Sequence, residues 1–89
     1  MAFTDMEIAE AHAAAKDGVC DGLYKLGLIY STGGAGEVDL VEAHKWFNLA
    51  ALRGSSAAKD CRKELADQMT TIQVAAAQRA AREWLDRRH

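Results

Sequence analysis

The chain contains no proline, only two cysteines, and no apolar run long enough to cross a bilayer. Each absence removes a class of protein. Without a run of about 18 apolar residues, no membrane-spanning helix is expected. Cys20 and Cys61 lie 41 residues apart, with no Cys-x-x-Cys and no Cys/His spacing that suits zinc. They read as two buried free thiols in a reducing compartment, with one cross-link between helices as the alternative, because spacing does not fix Cα separation. The N-terminal stretch MAFTDMEIAEAH has neither a basic n-region nor an apolar h-region. A soluble, cytoplasmic protein is therefore expected.

Catalytic chemistry is equally sparse. His12, His44 and His89 are isolated, with no His-x-x-x-His or Glu-x-x-His pair, and a lone helical histidine reads as a surface or capped residue. Glu7 and Glu10 form a carboxylate pair, but in a helical first turn, where they complement the macrodipole. The stretch Gly33-Gly34-Ala35-Gly36 lacks the Lys-Ser/Thr of a phosphate-binding loop, and no strand precedes it. Neither catalytic, cofactor-binding nor metal-ligating residues are expected, and the chain does not read as an enzyme.

What is present is helix-forming. The 89 residues suffice for one small domain, 49% hydrophobic and dominated by alanine, the strongest helix former. An all-α protein of about five helices with short connections follows. Thr4-x-x-Glu7 is a capping-box pattern that starts the first helix, with Ile8, Ala11 and Ala15 inward and Gly18 ending it. The second helix runs from about residue 20 to 31. Leu23, Leu26, Gly27 and Tyr30 fall on one face, with a second stripe of Cys20, Tyr24, Leu28 and Ser31 beside it. Such a helix must be covered on more than one side.

Three glycines then break the chain, and Asp39 restarts it as an N-cap. The third helix spans roughly 40 to 53, with Ala43, Trp46, Phe47, Ala50 and Ala51 inward and Gly54 as its punctuation. A fourth helix begins at residue 55 or 56 and runs to about 68, with Ala58, Cys61, Leu65 and Ala57 inward. Thr70-x-x-Gln73 repeats the capping-box pattern and opens a fifth helix to about residue 87. There Ile72, Ala76, Ala80 and Trp84 predict the inner face, with Ala77 and Leu85 beside it.

A shift of 36 residues places Ala14, Ala15 and Gly18 on Ala50, Ala51 and Gly54. A two-helix period in the thirties is the mark of a helical solenoid, whose terminal units are atypical because they cap. On this pattern Gly27 lets the third helix approach, Tyr30 and Trp46 fill the wedge where the pair diverges, and the alanine pair lets the next helix dock.

These residues resemble a Sel1-like repeat. The match comprises Leu26, Gly27, Tyr30, Gly33, Asp39, Ala43, Trp46, Phe47, Ala50, Ala51 and Gly54, one full repeat over residues 19–54. Residues 1–18 resemble a degenerate repeat half that caps the N-terminal side. Residues 55–89 provide two C-terminal capping helices, resembling the closing helix of short bacterial members at Met69-Thr70, Ala77-Gln78-Arg79 and Glu83-Trp84. Gly22 departs from the pattern, which has alanine there, and predicts a helix weaker by up to about 1 kcal/mol. The resemblance implies a TPR-like α/α hairpin fragment with right-handed repeat packing. It also implies a non-catalytic adaptor or scaffold role in bacterial signalling, envelope or secretion systems.

If the first helix of each pair lines the concave side, as in such repeats, Tyr24, Leu28 and Ser31 are the candidate partner contacts, with Lys25 at the rim and the loop at 31–38 adjoining. The alternative is that the first or fifth helix covers this stripe as core. Two other readings compete with binding of a protein or peptide. Residues 1–44 carry two bases and eight acids, and residues 45–89 nine bases and five acids. That asymmetry suits head-to-tail assembly into a homo-oligomer. Arg79, Arg82, Arg87, Arg88 and His89 make the last helix basic enough to meet a nucleic acid. Against this, Glu83 and Asp86 interrupt the patch, and cations suit a helix C-terminus in any case.

Overall fold

The computed structural model describes residues 3–87. Among them the chain is all-helical: α1 (Asp5–Lys16), α2 (Cys20–Thr32), α3 (Leu40–Leu52), α4 (Ser56–Ala66) and α5 (Thr71–Arg87). None of these helices is long and apolar enough to cross a membrane.

Local chemistry sets the ends. The Thr4 hydroxyl accepts from the Glu7 N–H at 3.1 Å, while the Glu7 carboxylate accepts from the Thr4 N–H at 2.9 Å. These bonds hold the Glu7 carboxyl below its ordinary pKa. Thr70 and Gln73 form the same reciprocal pair at 3.1 and 2.9 Å and start α5. Asp39 caps α3 by accepting from the Glu42 N–H, and Ser55 caps α4 by accepting from the Ala58 N–H, each at 3.0 Å.

The exits of α1 and α3 are alike. Gly18 and Gly54 are left-handed, with φ of 74° and 102°. Gly18 N–H donates to Ala15 O and Val19 N–H to Ala14 O, at 2.9 and 3.0 Å. Gly54 N–H donates to Ala51 O and Ser55 N–H to Ala50 O, at 3.0 and 3.1 Å. Both are Schellman closures, and each bond maps onto its counterpart under the same shift of 36.

The core is built around α3. It packs against α2 on one side and against α4 and α5 on others, while α1 packs on α2. Leu23, Leu26 and Ile29 of α2 meet Ala43, Phe47, Leu49 and Ala50 of α3 in one buried cluster. Trp46 joins it and meets Trp84 of α5 edge to face, with ring centroids 6.1 Å apart. The second helix is covered on two sides, by α1 and α3, as its wide apolar girth requires, and α3 is covered by three neighbours.

Two close approaches need glycine. A Cβ on Gly27 would fall inside van der Waals contact with the Phe47 ring, so the missing side chain admits α3. A Cβ on Gly22 would lie 2.5 Å from Ala14 Cβ and 2.8 Å from the Ala15 backbone nitrogen. The glycine that looks like a defect by propensity is what lets α1 seat against α2.

Several expected core positions on α4 and α5 differ. Ala57 is exposed, whereas Ala58 is buried. Ile72 is 82% exposed. On α5 the buried positions are Ala77 and Ala81, with Ala76, Ala80, Trp84 and Leu85 only half-buried. The inner face of α5 is thus turned by about one residue, roughly 100°. Small side chains bring α5 close to α3, and the larger ones straddle that contact.

Candidate binding surfaces

The predicted stripe on α2 is half-buried. Tyr24 and Leu28 pack against the core without being enclosed by it, and Ser31 is half-buried on the same helix. The Tyr24 ring lies 5.8 Å from that of Phe47. Burial raises the pKa of its phenol, and the neighbouring Cys61 thiol adds to the effect. Neither α1 nor α5 closes over the stripe, since α1 seats on the Gly22 flank of α2 and α5 packs on α3, while α4 borders it with the Cys61 thiol beside Tyr24. Ser31 donates its hydroxyl hydrogen to Leu28 O at 3.2 Å. That leaves its oxygen as an acceptor.

Lys25 does not join this stripe. One residue on from Tyr24, it turns toward α1, where it shares a shallow depression with Glu10 and Asp21 and acts on the Glu7 charge. The glycine loop is also tied down. Gly34 N–H donates to Ile29 O at 2.8 Å and Asp39 N–H to Tyr30 O at 2.9 Å. The Phe3 ring sits on Gly34, where a Cβ would collide with it.

The remaining signature residues serve packing. Leu26, Ala43, Trp46, Phe47 and Ala50 are buried, and Ala51 is half-buried. Gly33 is left-handed at φ 75° and ends α2. Tyr30 reaches α1 instead of only filling a wedge against α3. Its hydroxyl is 3.5 Å from His12 Nε2, and burial, then Glu42 and Asp39, raise its pKa. Both cysteines are free thiols, half-buried where buried ones were expected, and Cys20 Sγ donates to Ala50 O at 3.6 Å.

A second surface was not legible in the sequence. α4 and α5 diverge from their short connection and leave a cleft of about 460 Å³ on the flank of α3. Lys59, Arg62 and Lys63 line it from α4, Gln78 from α5, and His44 and Asn48 from α3. Arg62 Nη1 donates to Asn48 Oδ1 at 2.5 Å. His44 is 3% exposed and its Nδ1 has no hydrogen-bond partner, contrary to the surface role expected of an isolated histidine. A buried polar atom left unpartnered costs about 1–3 kcal/mol. Burial, and then the Arg62 charge, depress the His44 pKa. The spacing of Lys59, Arg62 and Lys63, at i, i+3 and i+4, was the available signal for a cationic face. What it faced depended on where α5 lands.

The C-terminal end of the Arg-rich helix borders a separate cleft of about 430 Å³, lined by Trp84 and Arg87 of α5 with His12, Lys16 and Trp46. Arg79, Arg82 and Arg87 are exposed on α5, while Arg88 and His89 lie outside the described residues. Comparison with family models, with curated proteins and with solved structures returns no match for this chain.

Proposed function

We propose that the chain is a non-catalytic protein-interaction module resembling a Sel1-like repeat, and that it binds a protein or peptide through the α2 stripe of Tyr24, Leu28 and Ser31. The observation that carries this reading is the half-open state of that stripe, which α4 borders only at Cys61. It is fixed from beneath by Phe47 and left open by both α1 and α5. A half-buried tyrosine beside a leucine on a rigid helix offers apolar area and a hydroxyl at small entropic cost, which suits an interface anchor.

The matched Schellman closures at a spacing of 36 and the contact of Gly27 with Phe47 support the repeat resemblance. On this reading the loop at 31–38 is a fixed shoulder of the surface, because Phe3 and the backbone bonds hold it. Lys25 stands at the rim, on the side that faces the acids of α1.

The test is affinity capture with the wild type beside Tyr24→Ser/Leu28→Ser, after circular dichroism shows that the variant is folded. The expected result is a protein retained by the wild type and lost by the folded variant. Retention of the same protein by both would remove the stripe from the binding surface.

A further inference from the structure

We propose that the cleft between α4 and α5 is a binding site for a phosphate monoester. This site is separate from the α2 stripe and does not depend on the adaptor reading. Four features of the cleft converge on an anion. Lys59, Arg62 and Lys63 project from one face of α4, and among the described residues no acid lines the cleft. Asn48 and Gln78 add amide donors from the flanking helices. The Arg62 guanidinium is already oriented by Asn48, so part of its fork is fixed before any ligand arrives. His44 brings a ring that is buried apart from 3% of its surface and whose Nδ1 is unpartnered.

Donor number favours phosphate over carboxylate. A carboxylate has two oxygens and one charge, which a single arginine can satisfy. A phosphate monoester offers three acceptor oxygens and a charge of about −1.5 to −2, matching donors that arrive from three helices. The shape agrees. The cleft lies within the range of about 300–1,000 Å³ that small-molecule sites occupy, well beyond one phosphate group. Ala66 and Val74 contribute apolar wall, so an ester with an apolar portion fits better than the bare ion.

The experiment is an amide and histidine-ring NMR titration of the full chain at constant ionic strength. Inorganic phosphate, phenyl phosphate, a phosphoserine tripeptide and benzoate are added in turn. Phenyl phosphate is expected to saturate shifts at residues 59–63 and at the His44 ring, more tightly than inorganic phosphate. The exposed pair Lys59→Gln/Lys63→Gln is expected to weaken this by about tenfold or more while leaving the fold intact, as lost charge-assisted hydrogen bonds imply. Arg62→Gln is expected to do the same, and the lysine pair decides the matter if that variant does not fold. Tighter binding of the phosphopeptide than of phenyl phosphate would identify a phosphorylated side chain as the source of the group. Equal binding of benzoate, shifts that never saturate, or unchanged affinity in the lysine pair would overturn the proposal.

Discussion

Replacing Gly22 by alanine separates helix propensity from packing. By propensity alone, alanine inside α2 should stabilise the helix by about 1 kcal/mol. The structure predicts the opposite sign. The new Cβ would lie 2.5 Å from Ala14 Cβ, 2.8 Å from the Ala15 nitrogen and 3.0 Å from the Ala14 carbonyl carbon. Ordinary carbon contacts lie at about 3.5–4.0 Å, so α1 must move outward by roughly 1 Å. No side-chain rotation relieves a collision with backbone. Overpacking of this kind costs about 1–3 kcal/mol, which leaves a net loss of up to about 2 kcal/mol after the propensity gain. For a domain of this size that lowers Tm by up to about 15 °C. Thermal unfolding followed by circular dichroism at one protein concentration measures it. Ala14→Gly in the same chain removes the nearest obstacle but not the Ala15 nitrogen, so the double variant should recover part of the loss as a positive coupling. A Gly22→Ala protein as stable as the wild type, or more so, would refute the close seating of α1.

Other expectations follow from the same contacts. Gly27→Ala should also destabilise, by about 1–3 kcal/mol less the propensity gain, and Phe47→Leu in the same chain should soften the penalty measured by urea unfolding. Thr70→Ala removes the acceptor for the Gln73 N–H and should cost about 1 kcal/mol, with early fraying of α5 seen by amide exchange. His44 has a folded pKa below its ordinary value of about 6.5, so the unfolded chain binds its proton first. This histidine's contribution to stability is thus full above about pH 6.5, declines as pH falls below that value, and is lost once pH passes the folded pKa. His44→Gln should flatten that part of the stability–pH curve in denaturant titrations at successive pH values. If the charge asymmetry drives assembly, light scattering should show larger species at low salt that dissociate at high salt, and a monomer at both salts would exclude it.

Much of the fold was legible because its punctuation is local. The capping boxes at Thr4/Glu7 and Thr70/Gln73 and the left-handed Gly18 and Gly54 depend on residues a few positions apart, and each forms as its sequence implies. The buried state of His44 and Leu49 was not legible. It requires that α3 be covered by three neighbours at once, which is a property of where α4 and α5 settle. The same reason explains α5. Hydrophobicity favoured a face through Ile72, but close approach to α3 selected Ala77 and Ala81 and left Ile72 outside the contact. Propensity alone marks Gly22 as a weak point of α2, whereas its need for space arises from the position of α1, which is a tertiary property. For the α2 stripe, the sequence located the residues but not their cover. Tyr24 and Leu28 are where the period put them, while Lys25 turns to the acids of α1.

The most direct test of the interaction reading is an NMR footprint of the captured protein on the isotope-labelled chain. The account predicts amide perturbations concentrated at residues 24–31 and the adjoining loop to residue 38, with α5 silent. Perturbations confined to α5, or to the cleft between α4 and α5, would contradict a binding face on α2.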